Sequence, residues 1–209
     1  MIKIKRKINS FLHSSDKINI IKYKLTSGYQ KVVYSFLYNE YGINSVIIKP
    51  IRVIGKKYIS IGKNVNILNG ARMEAIDKWK NKNYTPKIKI GDNVSIGQNF
   101  HITSASDLEI GDNVTILGNV FITNIDHVYE DINENVLNQD IEVKNTQIAE
   151  GCFIGYGASI QAGTILGKHC VVGTNAVVRG KFDDYTVIVG VPARVVKRYN
   201  KINNKWEKF

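Results

Sequence analysis

Aliphatic residues return at every sixth position over long stretches of the chain. The clearest series consists of Ile148, Ile154, Ile160, Leu166, Val172 and Val178, and shorter series run from Ile61 to Met73, from Ile90 to Leu108 and from Ile110 to Ile122. Neither the 3.6-residue period of a helix nor the two-residue period of a strand accounts for this spacing. A six-residue period predicts short straight segments joined by corners and stacked as a parallel β-helix. Each aliphatic side chain is expected to point inward and to stack on its equivalent in the next coil.

The period divides the chain into three parts. Residues 1–44 lie outside it and are predicted to be helical, because apolar residues follow helical spacing until Gly42: Ile18, Ile21, Leu25, Tyr29, Val32, Val33, Phe36 and Leu37. We interpret this segment as a cap over the open first coil. The alternative is a basic amphipathic element that rests on a membrane surface. Residues 45–199 are predicted to form the β-helix, and residues 200–209 a basic C-terminal tail.

Two segments interrupt the repeat. Residues 77–87 are polar and lack the period, which predicts a loop that leaves the solenoid. The longer interruption, residues 123–147, which we call the excursion, contains His127 with Asp126, Tyr129, Glu130 and Asp131. Long loops within a compact domain are usually functional, so the chemistry is expected in this segment.

Charge and cysteine usage restrict the partners. The chain has 209 residues, enough for one domain, and its net charge of +11 is concentrated in residues 1–60, which hold twelve lysines and arginines against two acidic residues. Such a basic face can bind nucleic acid, an anionic membrane or a phosphorylated ligand, but no aromatic-basic motif favours nucleic acid. Cys152 and Cys170 fall on the inward position of the repeat and are predicted to be a buried, reduced pair. Without a signal peptide or membrane span, a cytoplasmic protein is expected, with the inner face of the membrane as an alternative location.

The four histidines differ in context. His13 lies in the N-terminal segment and His169 at an ordinary corner, whereas His101 can line a face of the prism. His127 alone lies in the excursion, next to Asp126. Because a histidine titrates near neutral pH and can remove a proton from a hydroxyl, His127 is the candidate general base.

Several motifs resemble the hexapeptide-repeat acyltransferases, within the branch of maltose, galactoside and surface-polysaccharide O-acetyltransferases. The resemblance covers about residues 45–199 and rests on the following segments: Ile-Gly-Asp-Asn-Val at 90–94 and 110–114, Ile-Thr-Asn-Ile-Asp-His at 122–127, Cys-Phe-Ile-Gly at 152–155, Ala-Gly-Thr-Ile-Leu-Gly at 162–167, Val-Gly-Thr-Asn-Ala-Val-Val at 172–178 and Val-Gly-Val-Pro-Ala-Arg at 189–194. The resemblance implies a left-handed β-helix and a homotrimer with active sites between neighbouring subunits. It also implies that His127 deprotonates a sugar hydroxyl, which attacks the thioester of acetyl-CoA directly.

The resemblance also implies assisting and cofactor-binding residues. The family's assisting asparagine belongs to an Asn-Phe-Asn pattern, which is Asn99-Phe100-His101 in this chain, so His101 holds the equivalent position and Asn99 remains an alternative. The expected contacts of coenzyme A are Phe153, Tyr156, Thr174, Arg179, Arg194, Lys197 and Arg198. The three last residues suit the nucleotide phosphates, and for any one of them a solvated surface role is the alternative. No metal is required.

The leading hypothesis is therefore an acetyl-CoA-dependent O-acetyltransferase that modifies a sugar of capsule or lipopolysaccharide. Its nearest rival is an N-acetyltransferase of a nucleotide-linked amino sugar, followed by a xenobiotic acetyltransferase. A zinc-dependent carbonic anhydrase is disfavoured, because His101 and His127 supply only two ligands. A non-catalytic scaffold would leave the His127 excursion unexplained.

Overall fold

The chain folds as a left-handed parallel β-helix preceded by one helix, in agreement with the expected fold class. The computed structural model describes residue 19 and residues 21–208. His13 and Ile18, both considered above, lie outside the described residues. The helix, α1, covers residues 21–34. The β-helix is a prism with three faces, each of them a sheet of short strands.

Each face of the prism stacks its strands in parallel, except where the last strands of the second face turn antiparallel. From the first coil onward, the first face contains β1 (Glu40–Tyr41), β4 (Ile59–Ile61), β9 (Lys87–Ile90), β12 (Asp107–Ile110), β17 (Thr146–Ile148), β20 (Ile165–Leu166) and β23 (Lys181–Phe182). The second contains β2 (Val46–Ile47), β5 (Asn66–Ile67), β10 (Ser95–Ile96), β13 (Thr115–Ile116), β18 (Phe153–Ile154), β21 (Val171–Val172), β24 (Thr186–Gly190), β25 (Ala193–Asn200) and β26 (Lys205–Lys208). The third contains β3 (Arg52–Ile54), β6 (Arg72–Ala75), β11 (His101–Ser104), β14 (Phe121–Thr123), β19 (Ser159–Ile160) and β22 (Val177–Val178). Short 3₁₀ helices cover Lys56–Tyr58 and Val136–Asn138.

The core consists of the stacked aliphatic side chains that the period predicts. On the first face Ile90 pairs with Ile110 and Ile110 with Ile148, and all three side chains are fully buried. Equivalent stacks run along the other two faces, for example Ile96 on Ile116. Burying each such side chain contributes roughly 1.5–3 kcal/mol, so the stacks supply the main stabilisation of the prism.

Parallel pairing begins slightly before the expected boundary at residue 45. Glu40 and Tyr41 of β1 already pair with Ser60 and Ile61 of β4. Tyr41 is buried at an inward position. Because a tyrosine replaces the aliphatic residue there, the six-residue pattern does not reveal this first strand.

Helix α1 covers the edge of the first coil with its polar side. The Gln30 side chain donates to the Ile47 carbonyl at 2.8 Å and accepts from the Ile47 amide at 2.9 Å. Ile47 lies in β2, which is the end strand of the second face, so Gln30 satisfies backbone groups that would otherwise lack a strand partner. Rings of Tyr34 and Tyr38 pack around the buried Tyr41 beside it.

Both interruptions of the repeat contain antiparallel hairpins, and the two contact each other. The first, predicted as a loop, contains the hairpin of β7 (Lys78–Trp79) and β8 (Lys82–Asn83). The excursion contains β15 (Ile125–His127) paired with β16 (Ile141–Val143). The Trp79 indole donates to the Gln139 carbonyl at 3.0 Å, and Lys82 forms an ion pair with Asp140 at 2.6 Å. The first hairpin therefore supports the excursion.

The C-terminal segment continues the second face as antiparallel strands. β25 pairs with β24, and β26 pairs with β25, so residues 205–208 of the predicted tail form an edge strand. Cys152 and Cys170 are both buried and unbridged. The hydrogen bond to Cys170 and burial raise the pKa of the Cys152 thiol well above its usual range, which keeps it protonated. Within the part of the chain that the structure describes, no helix is long and apolar enough to cross a membrane.

Candidate active site

A groove of about 590 Å³ lies between the outer surface of the third face and the excursion. Its floor is formed by outward side chains of β3, β6, β11 and β14, and its wall by the two hairpins. The residues that line it are Arg52, Ile54, Arg72, Glu74, Ile76, Trp79, His101, Thr103, Phe121, Thr123, Ile125, Asp126, His127, Leu137, Ile141 and Gln161. Of the candidate catalytic residues, the structure therefore brings His127 and His101 together in one groove.

His127 lies at the end of β15 with an exposed side chain. Its backbone is held in the hairpin opposite Ile141. Its ring contacts the edge of Trp79, with the ring centroids 5.4 Å apart and an interplanar angle of 63°. The imidazole is thus positioned by the two hairpins while it remains open to the groove, as a general base requires.

His101 lies on the floor of the groove, at the first position of β11. Its Nε2 is 3.0 Å from Thr103 Oγ1 and 3.7 Å from Glu74 Oε2. Burial and the nearby Arg72 guanidinium lower the pKa of His101 below its ordinary value, and they outweigh the opposing effect of Glu74. His101 is therefore neutral at physiological pH and has both a donor and an acceptor nitrogen.

Asn99 lies outside the groove, at a corner of the prism. Its φ is 55°, in the left-handed region that asparagine tolerates at sharp corners. Its side-chain amide donates to Asn119 Oδ1 at 3.0 Å, and Asn119 in turn donates to the Tyr156 hydroxyl. Within one chain, Asn99 thus belongs to a ladder of corner side chains rather than to the surroundings of His127.

Asn124 anchors the excursion, and sequence reasoning did not single it out. It is fully buried, and its Oδ1 accepts the Ala105 amide at 3.0 Å. Its Nδ2 donates to Ser104 Oγ at 2.9 Å and to Ser106 Oγ at 3.0 Å. The only signal in the sequence is the position of this asparagine, three residues before His127, where the aliphatic period stops.

Asp126 connects the excursion to the last coil instead of contacting His127. Its carboxylate accepts two hydrogen bonds from Arg179, at 2.7 and 2.9 Å, and lies 3.6 Å from Lys144 Nζ. The hydrogen bonds from Arg179 and the charges of both cations hold the pKa of Asp126 below its ordinary value. Arg179, a predicted coenzyme A contact, is therefore engaged in this bidentate ion pair.

The other predicted cofactor residues lie mainly on the second face and its following corner. Phe153 pairs in register with Val171, which pairs with Val187, which pairs with Lys197. Register partners share one side of a sheet, so Phe153 and Lys197 lie on the same outer surface. Tyr156 and Thr174 occupy the next corner, where the Asn175 amide donates to the Tyr156 carbonyl at 2.8 Å. Arg194 is exposed on β25, whereas Arg198 forms an ion pair with Asp183 at 3.4 Å.

Among the residues that the structure describes, no group of three or more histidine, cysteine, aspartate or glutamate side chains is arranged to hold a metal ion.

Comparison with known sequences identifies hexapeptide repeats and related enzymes. The model described as "Bacterial transferase hexapeptide (six repeats)" matches residues 145–180, and "Hexapeptide repeat of succinyl-transferase" matches residues 87–124. "Putative lipopolysaccharide biosynthesis O-acetyl transferase WbbJ" of Escherichia coli is 32% identical over 72% of this chain and 76% of its own length. "Probable acetyltransferase Rv3034c" of Mycobacterium tuberculosis is also 32% identical, over 69% of this chain, which spans only 51% of that relative.

Comparison with solved structures finds the same fold. AntD, an N-acyltransferase from Bacillus cereus in complex with dTDP and 3-hydroxybutyryl-CoA, superposes with a TM-score of 0.67 and 19% identity, over 83% of this chain and 90% of that chain. A galactoside acetyltransferase in complex with coenzyme A gives a TM-score of 0.54 and 19% identity, over 83% of this chain and 72% of its own. The repeat matches, the extended similarity to an O-acetyl transferase and the stacked solenoid agree. This chain therefore belongs to the hexapeptide-repeat acyltransferase family and is an acyltransferase.

Proposed function

We propose that this chain is an acetyl-CoA-dependent O-acetyltransferase that transfers acetyl to a sugar hydroxyl in capsule or lipopolysaccharide biosynthesis. The observation that carries the proposal is the groove in which His127 and His101 face a space large enough for a sugar. The sequence similarity to WbbJ, whose name refers to O-acetyl transfer in lipopolysaccharide biosynthesis, supports this acceptor class.

The proposed reaction needs one base and no covalent enzyme intermediate. His127 accepts the proton of the sugar hydroxyl while the oxygen attacks the thioester carbonyl carbon, forming the new C–O bond. The C–S bond then breaks, and the coenzyme A thiolate receives the proton from the His127 imidazolium. We assign the assisting role to His101, which can hydrogen-bond the acceptor or the developing oxyanion from the groove floor. Asn99 is the less favoured candidate because its amide is committed to the corner ladder.

We further propose that acetyl-CoA lies along the second face. Phe153, Val189 and Val191 are partly or largely exposed there and offer an apolar strip for the pantetheine arm, and Tyr156 and Thr174 lie at the adjoining corner. Arg194 and Lys197 lie beyond this strip and suit the phosphates, with Arg198 close by on the same strand. The complexes of AntD and of galactoside acetyltransferase with coenzyme A or its thioesters support this donor.

A homotrimer would bring these two surfaces together. In one chain the groove lies on the third face and the cofactor strip on the second, so the groove of one subunit can complete the site of its neighbour. This proposal agrees with the trimeric arrangement that the family resemblance implies, and sedimentation of the purified protein tests it.

An amide-forming reaction is the second candidate. It is favoured by the fold similarity to AntD, which has been observed with dTDP-4-amino-4,6-dideoxyglucose and coenzyme A. The two candidates differ in the bond formed, because hydroxylamine cleaves an acetyl ester readily and leaves an acetamide intact.

The decisive experiment follows thiol release from acetyl-CoA in the presence of candidate glycans and amino sugars. We expect acceptor-dependent thiol release and a product that gains one acetyl group, which hydroxylamine removes. A hydroxylamine-resistant product would support N-acetylation instead. Failure of the wild-type protein to bind coenzyme A in a calorimetric titration would reject both.

We also propose that the N-terminal region contacts the inner face of the membrane. Five apolar side chains on one stripe of α1 and its following turn are 56–86% exposed: Ile21, Leu25, Tyr29, Val32 and Phe36. The buried residues of the helix are polar, Ser27 and Gln30. An amphipathic helix normally turns its apolar side to the protein core, so this reversed orientation calls for an external apolar surface.

Position and charge favour a bilayer as that surface. Because α1 covers the end of the prism, subunits associating side by side would leave its outer stripe uncovered. Lys22 and Lys24 flank the stripe, and each lysine near an anionic leaflet contributes about 1 kcal/mol. The first coils, which carry one end of the groove, would then lie close to the membrane and to lipid-linked glycans.

Phe36→Glu is expected to reduce binding to phosphatidylglycerol vesicles by about tenfold, because it replaces a buried contact with the bilayer by a charge. Vesicle sedimentation measures this, with neutral phosphatidylcholine vesicles for comparison. Ile202→Glu is the matched control, since Ile202 is equally exposed in the C-terminal turn. Equal binding by wild type and Phe36→Glu, or a loss of self-association in the variant instead, would reject the membrane contact.

A further inference from the structure

Two arginines lie in the groove beside the histidines. Arg52, Arg72 and His101 occupy equivalent positions on three successive coils, because Arg52 pairs in register with Arg72 and Arg72 with His101. Register partners on neighbouring parallel strands share one side of the sheet, which here is the floor of the groove. The chain thus places two guanidinium groups one and two coils from the candidate assisting histidine.

A buried carboxylate holds both guanidinium groups in place. Glu74 is only 5% exposed, and its two oxygens lie 3.2 Å from Arg52 Nε and 2.9 Å from Arg72 NH2. The arginine side chains themselves are 59% and 47% exposed, so each contacts Glu74 with one nitrogen while much of its surface faces the groove. Fixing a guanidinium before the ligand arrives lowers the entropy lost on binding.

The charges of the groove leave a positive surplus at this point. One carboxylate cannot neutralise two guanidinium groups, and either arginine alone would satisfy the need of buried Glu74 for a cationic partner. The neighbouring His101 is neutral at physiological pH. The other carboxylate of the groove, Asp126, is already paired with Arg179 and Lys144. Nothing in the lining of the groove therefore cancels the surplus charge.

We propose that Arg52 and Arg72 bind an anionic group, a phosphate or a carboxylate, that the acceptor carries close to the sugar that is acetylated. This inference rests on the proposed function, since it assumes that the acceptor occupies the groove. The planar guanidinium group matches the two oxygens of either anion and forms charge-assisted hydrogen bonds with it. A sugar phosphate, a sugar diphosphate linked to a nucleoside or lipid, and a uronic acid all present this chemistry.

Binding of simple probes tests the proposal without turnover. The protein is first saturated with coenzyme A, so that the cofactor strip cannot bind the probe. Glucose 1-phosphate, glucuronic acid and neutral methyl glucoside are then titrated by calorimetry, with the His101 imidazole resonances followed by NMR. We expect either anionic probe to bind at least about tenfold more tightly than methyl glucoside, and to shift the signals of His101 but not those of His169.

Arg52→Gln and Arg72→Gln are the diagnostic variants, because each leaves Glu74 one arginine partner and removes only the surplus charge. Each is expected to lose the anion preference, by about tenfold, at unchanged affinity for coenzyme A. Lys57→Gln is the matched control, since Lys57 is an exposed cation 3.7 Å from Asp77 and does not line the groove. Equal wild-type affinity for anionic and neutral probes, or the same loss in Lys57→Gln, would overturn the proposal.

Comparing the probes also identifies the source of the anion. Preference for glucose 1-phosphate over glucuronic acid assigns a phosphate, and UDP-glucose and a short-chain polyprenyl diphosphate glucose then separate nucleotide-linked from lipid-linked acceptors. If the wild-type protein binds the anions in this way but releases no thiol with any sugar, the proposed function fails while the anion site stands.

Discussion

His127→Ala is expected to lower the rate of acetyl transfer by about 10²–10⁴-fold, the usual contribution of a general base. The thermal stability and the oligomeric state should stay close to those of wild type, because the His127 side chain is exposed and lies outside the stacked core. Steady-state kinetics with saturating acetyl-CoA and differential scanning calorimetry measure the two effects.

His169→Asn provides the matched control for His127→Ala. His169 is likewise exposed, but it stacks on Tyr185 at a distant corner with a φ of 52°, which asparagine also adopts. Its substitution should leave the rate unchanged. Near-normal turnover by His127→Ala would reject the assignment, and a larger loss in His101→Ala would exchange the two roles.

Asn124→Ala is expected to lower the free energy of unfolding by about 2–3 kcal/mol, because it leaves the buried Ala105 amide and its hydroxyl partners without their hydrogen bonds. The neck of the excursion should loosen, and the resulting displacement of His127 should reduce kcat by about 100-fold. Denaturant titration at one fixed protein concentration and steady-state kinetics test both effects.

Asn138→Ala serves as the control for Asn124→Ala. Asn138 also lies in the excursion, but it is exposed, and its side chain donates only to Glu134 at 3.2 Å. Its substitution should change stability by no more than about 0.5 kcal/mol. If Asn124→Ala proved equally mild, the buried hydrogen-bond cluster would not be what holds the excursion in place.

The sequence by itself determined the solenoid and its inward side chains. A stacked coil repeats the same environment at a constant interval, so residues such as Ile96 and Ile116 carry the signal of burial in their spacing alone. The same regularity marked the inward cysteines and the places where the chain leaves the prism. His127 became a candidate because it lies in the longest of these departures.

What the repeat does not describe was decided by the tertiary structure. The contact between Trp79 and the excursion joins segments some 60 residues apart in the chain, and no local pattern predicts such a pairing. The separation of His101 from Asn99 depends on which residue faces outward from a strand and which turns the corner. The bidentate pair of Asp126 with Arg179 likewise forms only when the last coil closes beneath the excursion.

The N-terminal helix shows the same division most clearly. Its helical spacing was readable from the sequence, but the spacing alone does not reveal which side of a helix meets the prism. The exposed backbone edge of β2 takes the Gln30 amide, which turns the apolar stripe outward. Spacing reports that a set of side chains shares an environment, whereas the identity of that environment depends on the atoms that distant parts of the chain present to it.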